Sequence, residues 1–308
     1  MKSAIITGAN GLIGQALVTE LIKNNVAVLC LGRRPQQVLP KPFPSPQNAA
    51  YLRLDMSKIR TLADKVRTVN LPVNFFEHCV FFHLAWEGET GLTDGDLNKQ
   101  LTNASNTTEA IKIAKRLGCE KFINLGTITE TLMEHALQNN SPPFDLQQFN
   151  YGIAKLASRD MAKITSYLEK IDYIHARVSV PLDDNLNSGG YICSTLKKIA
   201  LGEPYDDPLT HQPYDLVFVS DVARALRLIG MSGEDKQDYY IGSGRCKRLK
   251  TLFDQFKSMV DQRLGDIEAL DNEEQTLAFL FDASLLGTIG DPPREIDYQL
   301  LRKTLSIK

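Results

Sequence analysis

The chain carries no excess of charge of either sign: 35 Lys and Arg stand against 37 Asp and Glu, a formal net charge of −2. With no global field, nothing in the charge selects a nucleic acid or a membrane surface as partner. Cysteine is scarce as well, five in 308 residues (Cys30, Cys79, Cys119, Cys193 and Cys246), an odd number with no close pair. That speaks against a disulfide framework and against a thiolate zinc site, so no metal is expected. No apolar run approaches the ~20 residues that a membrane helix needs. The first residues pass straight into Ala4-Ile5-Ile6 without a basic leader or a small-residue cleavage site, and a reduced, cytoplasmic compartment is the simplest expectation. Internal repeats are absent too. What remains is an ordinary globular composition, 43% hydrophobic and 23% charged, long enough for one large or two modest cores.

Within that composition, apolar and helix-patterned stretches alternate through the first half. Ala4-Ile5-Ile6 reads as a buried strand, followed by a helix with Leu12, Ile13, Leu17 and Leu21 on its apolar positions. Further strands are expected at Val26–Leu31, Tyr51–Leu54, Cys79–Leu84, Phe122–Leu125 and Tyr173–Val178, and helices over Thr108–Leu117 and Tyr151–Lys170. Strand, helix, strand in repetition predicts an α/β fold: a doubly wound parallel sheet with helices on both faces. After residue 178 the alternation loosens, which predicts a smaller mixed C-terminal lobe. Residues 1–178, with 214–242 returning to them, form the main domain on this reading; 179–213 and 243–308 form the lobe. Two loops interrupt the pattern, Leu39–Gln47 with prolines at 40, 42, 44 and 46, and Gln138–Gln148 with Pro142-Pro143. The acidic run Asp271–Glu274 reads as a solvated helix start.

The first chemistry lies between strand one and helix one, in Thr7-Gly8-Ala9-Asn10-Gly11-Leu12-Ile13-Gly14. Glycines allow a tight turn and close approach of a pyrophosphate, whose charge a helix N-terminus stabilises. A dinucleotide site is therefore expected. Tyr151 and Lys155 are four apart on the long helix and share a face. A free phenol has a pKa of roughly 10, and a neighbouring ammonium is expected to lower it. Thr127, after the strand at Phe122–Leu125, can hydrogen-bond the same substrate oxygen.

These residues, in this order, resemble the extended (epimerase/dehydratase) branch of the short-chain dehydrogenase/reductase superfamily. Gly8-x-x-Gly11-x-x-Gly14 resembles its cofactor turn, Tyr151-Gly-Ile-Ala-Lys155 its Tyr-x-x-x-Lys pair, and Thr127 its catalytic Ser or Thr. His83-Leu84-Ala85 resembles the fourth-strand end that lines the cofactor, Leu54-Asp55-Met56 the third-strand end near the adenine, and Asn103 the Asn before the helix that precedes the catalytic strand. Tyr214 to Ala223 resembles the family's return segment into the sheet, and Tyr240 to Gly244 the strand and turn that follow it. The resemblance spans nearly the whole chain. It implies a Rossmann-type domain, catalysis by Thr127, Tyr151 and Lys155, and cofactor contacts from Thr7, Gly8, Asn10, Gly11, Leu12, Ile13, Gly14, Arg33, Arg34, Asp55, Met56, Leu84, Ala85, Trp86 and Asn103 besides Tyr151 and Lys155. It also implies a nucleotide-linked sugar as substrate and a homodimer built from Asn106–Leu117 and Tyr151–Lys170, with Ile111, Ile113, Leu156, Ile164 and Leu168 as apolar surface.

Departures from the family narrow the chemistry. Family dehydratases carry Asp-Glu directly after the catalytic Thr; here Ile128 and Thr129 stand there and Glu130 comes one position late. Dehydration is not expected. The family's Asn near the end of the sixth strand is missing from Arg177-Val178-Ser179-Val180-Pro181, which leaves Arg177 and Ser179 with Trp86, Glu87 and Thr129 as substrate candidates. Strand two ends Leu31-Gly32-Arg33-Arg34, and arginine suits the 2′-phosphate of NADP where an acidic residue would suit NAD. NADP(H) is thus favoured over NAD(H), and with it a net 4-keto sugar reductase. An NAD-dependent nucleotide-sugar epimerase is the alternative, with a non-sugar ketone reductase or a non-catalytic nucleotide sensor behind it. His83 is expected to pack beside the cofactor rather than act as acid or base, and the remaining histidines show no ligand spacing.

Overall fold

A computed structural model of the protein describes residues 1–35, 49–88, 96–139, 149–208, 213–261 and 278–296. The proline-rich stretch, the acidic run at Asp271–Glu274 and most of the Gln138–Gln148 loop lie outside the described residues. Seven strands form one parallel sheet: β1 (Ser3–Thr7), β2 (Ala27–Gly32), β3 (Ala49–Arg53), β4 (Cys79–His83), β5 (Lys121–Thr127), β6 (Asp172–Val178) and β10 (Asp238–Ile241), counted in chain order. Their spatial order is β10-β6-β5-β4-β1-β2-β3. The chain thus winds outward from β1 to β3, then crosses back to start again at β4. The crevice between β1 and β4 is the topological switch point, where such sheets bind ligands.

The inner strands β1, β2 and β4 read as nearly unbroken apolar runs because both sheet faces are covered there. Successive side chains point to opposite faces, and the two cores sort accordingly. Ala4, Ile6, Val28 and Cys30 face one side with Leu17 and Leu21 of α1 (Leu12–Lys23) and Val222 and Leu226 of α7 (Val219–Ser232). Ile5, Leu29 and Leu31 face the other with Ala110 and Ile111 of α3 (Leu97–Arg116) and Ala162 of α5 (Phe149–Glu169). Ile111 and Ile113, expected at a dimer surface, belong to this second core at 0% and 6% exposure. Their positions on α3 turn them toward the sheet.

α3 begins at Leu97, eleven residues before the expected Thr108. Its first turns are polar, so no apolar periodicity marks them; Asp96 caps them by accepting the Lys99 N–H. Between β5 and α5 a further helix, α4 (Ile128–Gln138), fills a stretch that the apolar pattern leaves unassigned. Beyond β6, β7 (Val180–Leu182) pairs in parallel with β9 (Leu216–Phe218), and β8 (Pro213–Tyr214) pairs antiparallel with β11 (Lys247–Arg248). With α6 (Tyr191–Leu201) and α8 (Leu249–Val260) they enclose a third core around Leu196, Phe218, Phe253 and Phe256. A last short helix, α9 (Ser284–Gly287), returns Leu286 to the core of the main sheet.

Candidate active site

The turn after β1 is built by close approach. Gly8 has φ +69°, and a Cβ on it would lie 2.9 Å from the Ala85 nitrogen; one on Gly14 would lie 2.2 Å from the Gly8 carbonyl oxygen. Only glycine lets β1, the β4 end and α1 meet so tightly. In front of Gly11 the space is open, since a Cβ there would meet only the Gly8 oxygen at 3.4 Å. Gly11 caps α1 without a side-chain hydrogen bond. The N-terminal amides of α1 therefore face the crevice without a side-chain cap, the arrangement that holds a pyrophosphate.

This crevice is a cleft of ≈ 270 Å³ lined by Gly8, Asn10, Gly11, Gly32, Arg33, Arg34, Asp55, Met56, Leu84, Ala85, Trp86 and Glu87, with Leu31 and Leu54 at its base. Its chemistry fits a dinucleotide. A Cβ on Gly32 would collide with the Asn10 amide at 2.5 Å and the Tyr51 hydroxyl at 2.7 Å, and the buried Asn10 Oδ1 has no partner. Asp55 uses one carboxylate oxygen to cap the turn at Ser57, and that hydrogen bond, against partial burial, holds its carboxyl below the usual range. Arg33 stands on the rim, 58% exposed, and reaches across to Glu87 at 2.7 Å. Tyr51, which sequence reasoning missed, links Asn10 to the Arg34 carbonyl; it sits one strand away from any motif and carries no local signal.

Beside the cleft lie the three catalytic candidates. Thr127 ends β5 and caps α4, its hydroxyl accepting the Thr129 N–H at 3.3 Å while the Glu130 carboxylate accepts the Thr127 N–H at 2.9 Å. Thr127-x-x-Glu130 is a capping box, so the signal for α4 was present in the sequence. Gly152 lets α5 close on α4, since a Cβ would lie 2.6 Å from the Met133 Cγ. Tyr151 is thereby brought close enough to Thr127 for the threonine hydroxyl to act on its phenol. One turn on, the Lys155 ammonium donates to the Leu125 carbonyl at 2.9 Å and lies 3.9 Å from the centre of the Trp86 ring. Trp86 is held by Gln100 of α3, whose Oε1 accepts its indole N–H at 2.7 Å.

Burial pulls the Lys155 ammonium down to about 8, although the Glu130 carboxylate opposes this. Burial, reinforced by Glu130, also raises the Tyr151 phenol above the ordinary tyrosine range, the Thr127 hydrogen bond opposing. The expected lowering of the phenol by lysine is thus reversed: the ammonium stands 5.9 Å from the Tyr151 ring centre, and burial outweighs it. Near neutrality Tyr151 is therefore a protonated hydroxyl. His83, 3% exposed, touches Thr7 Oγ1 and Thr107 Oγ1 at 3.0 and 3.2 Å; burial, then Lys155, brings its pKa to about 3. It is a neutral core residue.

Several expected site residues do other work. The Thr7 hydroxyl is fully buried and accepts the N–H groups of Leu84 and Ala85, both at 3.1 Å, tying β1 to the end of β4. Leu12 and Ile13 open α1 with Leu12 at the surface and Ile13 against the core. Asn103 lies inside α3 and spends its amide on the backbone of Glu87, accepting its N–H at 2.8 Å and donating to its carbonyl at 2.7 Å. It holds the loop that carries Trp86. The Ser179 hydroxyl is buried and donates to the Asp215 carbonyl, which removes it from the substrate candidates. Arg177 donates to Thr131 Oγ1 at 2.7 Å and leaves its Nε buried without a partner. Thr129 packs its methyl toward Gly152, between Thr127 and α5.

Comparison with known proteins gives a consistent picture. The profile of the NAD-dependent epimerase/dehydratase family matches residues 4–242. Among solved structures, UDP-glucose 4-epimerase from Thermotoga maritima, crystallised with UDP-glucose, aligns with a TM-score of 0.71 at 17% identity over 99% of this chain and 98% of its own. UDP-glucose 4-epimerase of Thermus thermophilus in complex with NAD aligns at 0.69 and 17% identity, over 99% and 98%. The Bordetella bronchiseptica enzyme WbmH in complex with NAD+ aligns at 0.63 and 16% identity, over 100% and 97%. At such identities the likeness is one of fold.

Proposed function

The chain belongs to the NAD-dependent epimerase/dehydratase family, and from that premise we propose that it is a reductase of a nucleotide-linked 4-keto sugar that uses NADP(H). The observation that carries this reading is the pairing of a protonated, buried Tyr151 with Thr127 and Lys155 beside a cleft whose ribose rim bears Arg33 and Arg34 and no carboxylate at Gly32. When bound, the nicotinamide supplies a hydride. Tyr151 gives its proton to the carbonyl oxygen, Thr127 orients that oxygen, and the Lys155 ammonium stabilises the phenolate left behind. The sum is one hydride and one proton added across the ketone. In the cleft, the α1 amides would hold the pyrophosphate, Asp55 and Met56 would border the adenine, and the two arginines would meet the 2′-phosphate. Arg177, Thr129, Trp86 and Glu87 border the substrate, which enters between residues 1–178 with 214–242 and the lobe of 179–213 and 243–308.

Glu87 favours a second reading, because it partly satisfies Arg33 at 2.7 Å and so weakens the case for a phosphate there. On that reading the protein is an NAD-dependent nucleotide-sugar epimerase. The two readings part in one assay, incubation of the purified protein with NADPH and a panel of nucleotide-linked 4-keto sugars. A reductase consumes NADPH in step with loss of the ketone; an epimerase changes configuration without net consumption.

Two further statements belong to the proposal. The protein is a homodimer through α5, whose outer face exposes Met161, Ile164, Tyr167 and Leu168. It resides in the cytoplasm, in keeping with five buried, unbridged cysteines. Among the described residues no helix is long and apolar enough to cross a membrane.

A further inference from the structure

Next to the catalytic group lies a buried carboxylate–imidazole pair that the reaction as written does not use. Glu130 of α4 and His175 of β6 meet at 2.6 Å, Oε2 to Nε2, and both side chains are 0% exposed. Taking a carboxylate fully out of water is costly unless both its oxygens find partners. Local structure is shaped to admit this one. A Cβ on Gly126 would lie 2.3 Å from His175 Nε2 and 2.8 Å from Glu130 Oε1, so β5 carries glycine where the pair passes.

The hydrogen bonds assign the protons. His175 Nδ1 is 3.1 Å from the Tyr173 hydroxyl, which in turn takes the Asn124 amide at 3.3 Å. Against an anionic carboxylate, which can only accept, His175 Nε2–H is the donor to Glu130 Oε2. The other carboxylate oxygen takes the Thr127 N–H. Glu130 is therefore fixed at both oxygens, one to the catalytic threonine's backbone and one to the floor of the sheet.

We infer that Glu130, locked by His175, is a positioning residue that keeps the catalytic pair in the form needed for reduction, Lys155 charged and Tyr151 protonated. The inference rests on the role given above to Tyr151 and Lys155. Around the pair stand His83 of β4, Tyr151 and Lys155 of α5, and Tyr173 and Arg177 of β6, with Arg159 and Asp238 acting on Tyr173. Of these, Lys155 is the group that changes charge closest to neutral pH. Burial pushes the Glu130 carboxyl up, but His175, Lys155 and the Thr127 N–H together bring it below its ordinary value, so it is anionic there. Its charge raises both Lys155 and Tyr151. Removing it lowers both, and each then loses its proton at a lower pH.

Trp86, the one tryptophan of the chain, lies 3.9 Å from the Lys155 nitrogen and reports that proton without substrate or cofactor. In the wild-type protein its emission is expected to change with a midpoint at about 8, and Lys155→Met to remove the change. Glu130→Gln is expected to move the midpoint down by about one unit. His175→Gln keeps an amide donor toward Glu130 and leaves the midpoint near the wild-type value, whereas His175→Leu lowers it as Glu130→Gln does. The His175 variants carry the test if Glu130→Gln does not fold. An unchanged midpoint in Glu130→Gln, equal midpoints in the two His175 variants, or no wild-type transition that Lys155→Met removes would each overturn the inference. A shifted midpoint in a protein that reduces no ketone leaves the inference standing and sinks the reductase reading instead.

Discussion

Tyr151 shows how a motif and its surroundings divide the work. Spacing placed Tyr151 and Lys155 on one helical face and Thr127 upstream, and the structure brings the three together. What spacing did not carry was the sign of the phenol's shift, because that depends on burial and on Glu130, a residue from another element. The polar residues Thr7, Asn103 and Ser179 hid a structural role for the same reason: each spends its side chain on backbone of a distant segment, and nothing local announces it. Tyr151→Phe keeps the ring and removes the proton, so turnover should fall by a factor on the order of 10² to 10⁴ with cofactor affinity nearly unchanged. Wild-type turnover in that variant would take Tyr151 out of the mechanism. Lys155 carries its charge below a pKa of about 8 and loses it above, so the rate of reduction should decline as pH rises through that value. Arg33 and Arg34 give a second residue-scale expectation. A charge-assisted contact to the 2′-phosphate is worth roughly 1.5–3 kcal/mol, so NADPH should bind about ten- to a hundred-fold more tightly than NADH. Replacing both arginines with alanine should abolish that preference by weakening NADPH alone. Calorimetric titration with both cofactors checks it; equal affinities in the wild type would leave the arginines as solvated rim residues.

Elements were legible where the core imposes a period and hidden where it does not. Each expected strand of the main sheet lies within a few residues of its observed bounds, because fully buried parallel strands are continuous apolar runs. The first half of α3 escaped because its inward positions include Gln100, Asn103 and Thr107, polar side chains that are satisfied inside. There an apolar count looks for the wrong residues; α4, by contrast, carries its capping box and Ile128, Leu132, Met133 and Ala136 at helical spacing, and its signal was present but not read. The outer face of α5 is the reverse case, apolar yet exposed, with Ile164 at 64% and Leu168 at 69%. Contiguous apolar surface of this kind marks an interface. Wild-type protein at micromolar concentration should scatter light as a dimer of the 34.4 kDa chain, and the double variant Ile164→Lys with Leu168→Lys as a folded monomer. A monomeric wild type would leave this face without its partner and end the dimer proposal.

At the scale of the molecule, the doubly wound order places every element of the account at one edge. The C-terminal ends of β1 to β4 line the cleft, and β5 and α5 bring acid and ammonium beside it. The lobe has its own core around Phe253 and Phe256, while α9 sends Leu286 back into the main core. That return was illegible in sequence, since a four-residue helix has no period to read. On the proposed reading the site as a whole makes a net transfer: one hydride from the cofactor, one proton from Tyr151. NADPH carrying deuterium at its transferable position, given with a nucleotide-linked 4-keto sugar, tests that claim most directly by the mass of the sugar product. The account predicts an alcohol that holds the deuterium, formed mole for mole with oxidised cofactor. A product of unchanged mass and altered configuration, with the NADPH intact, would contradict it.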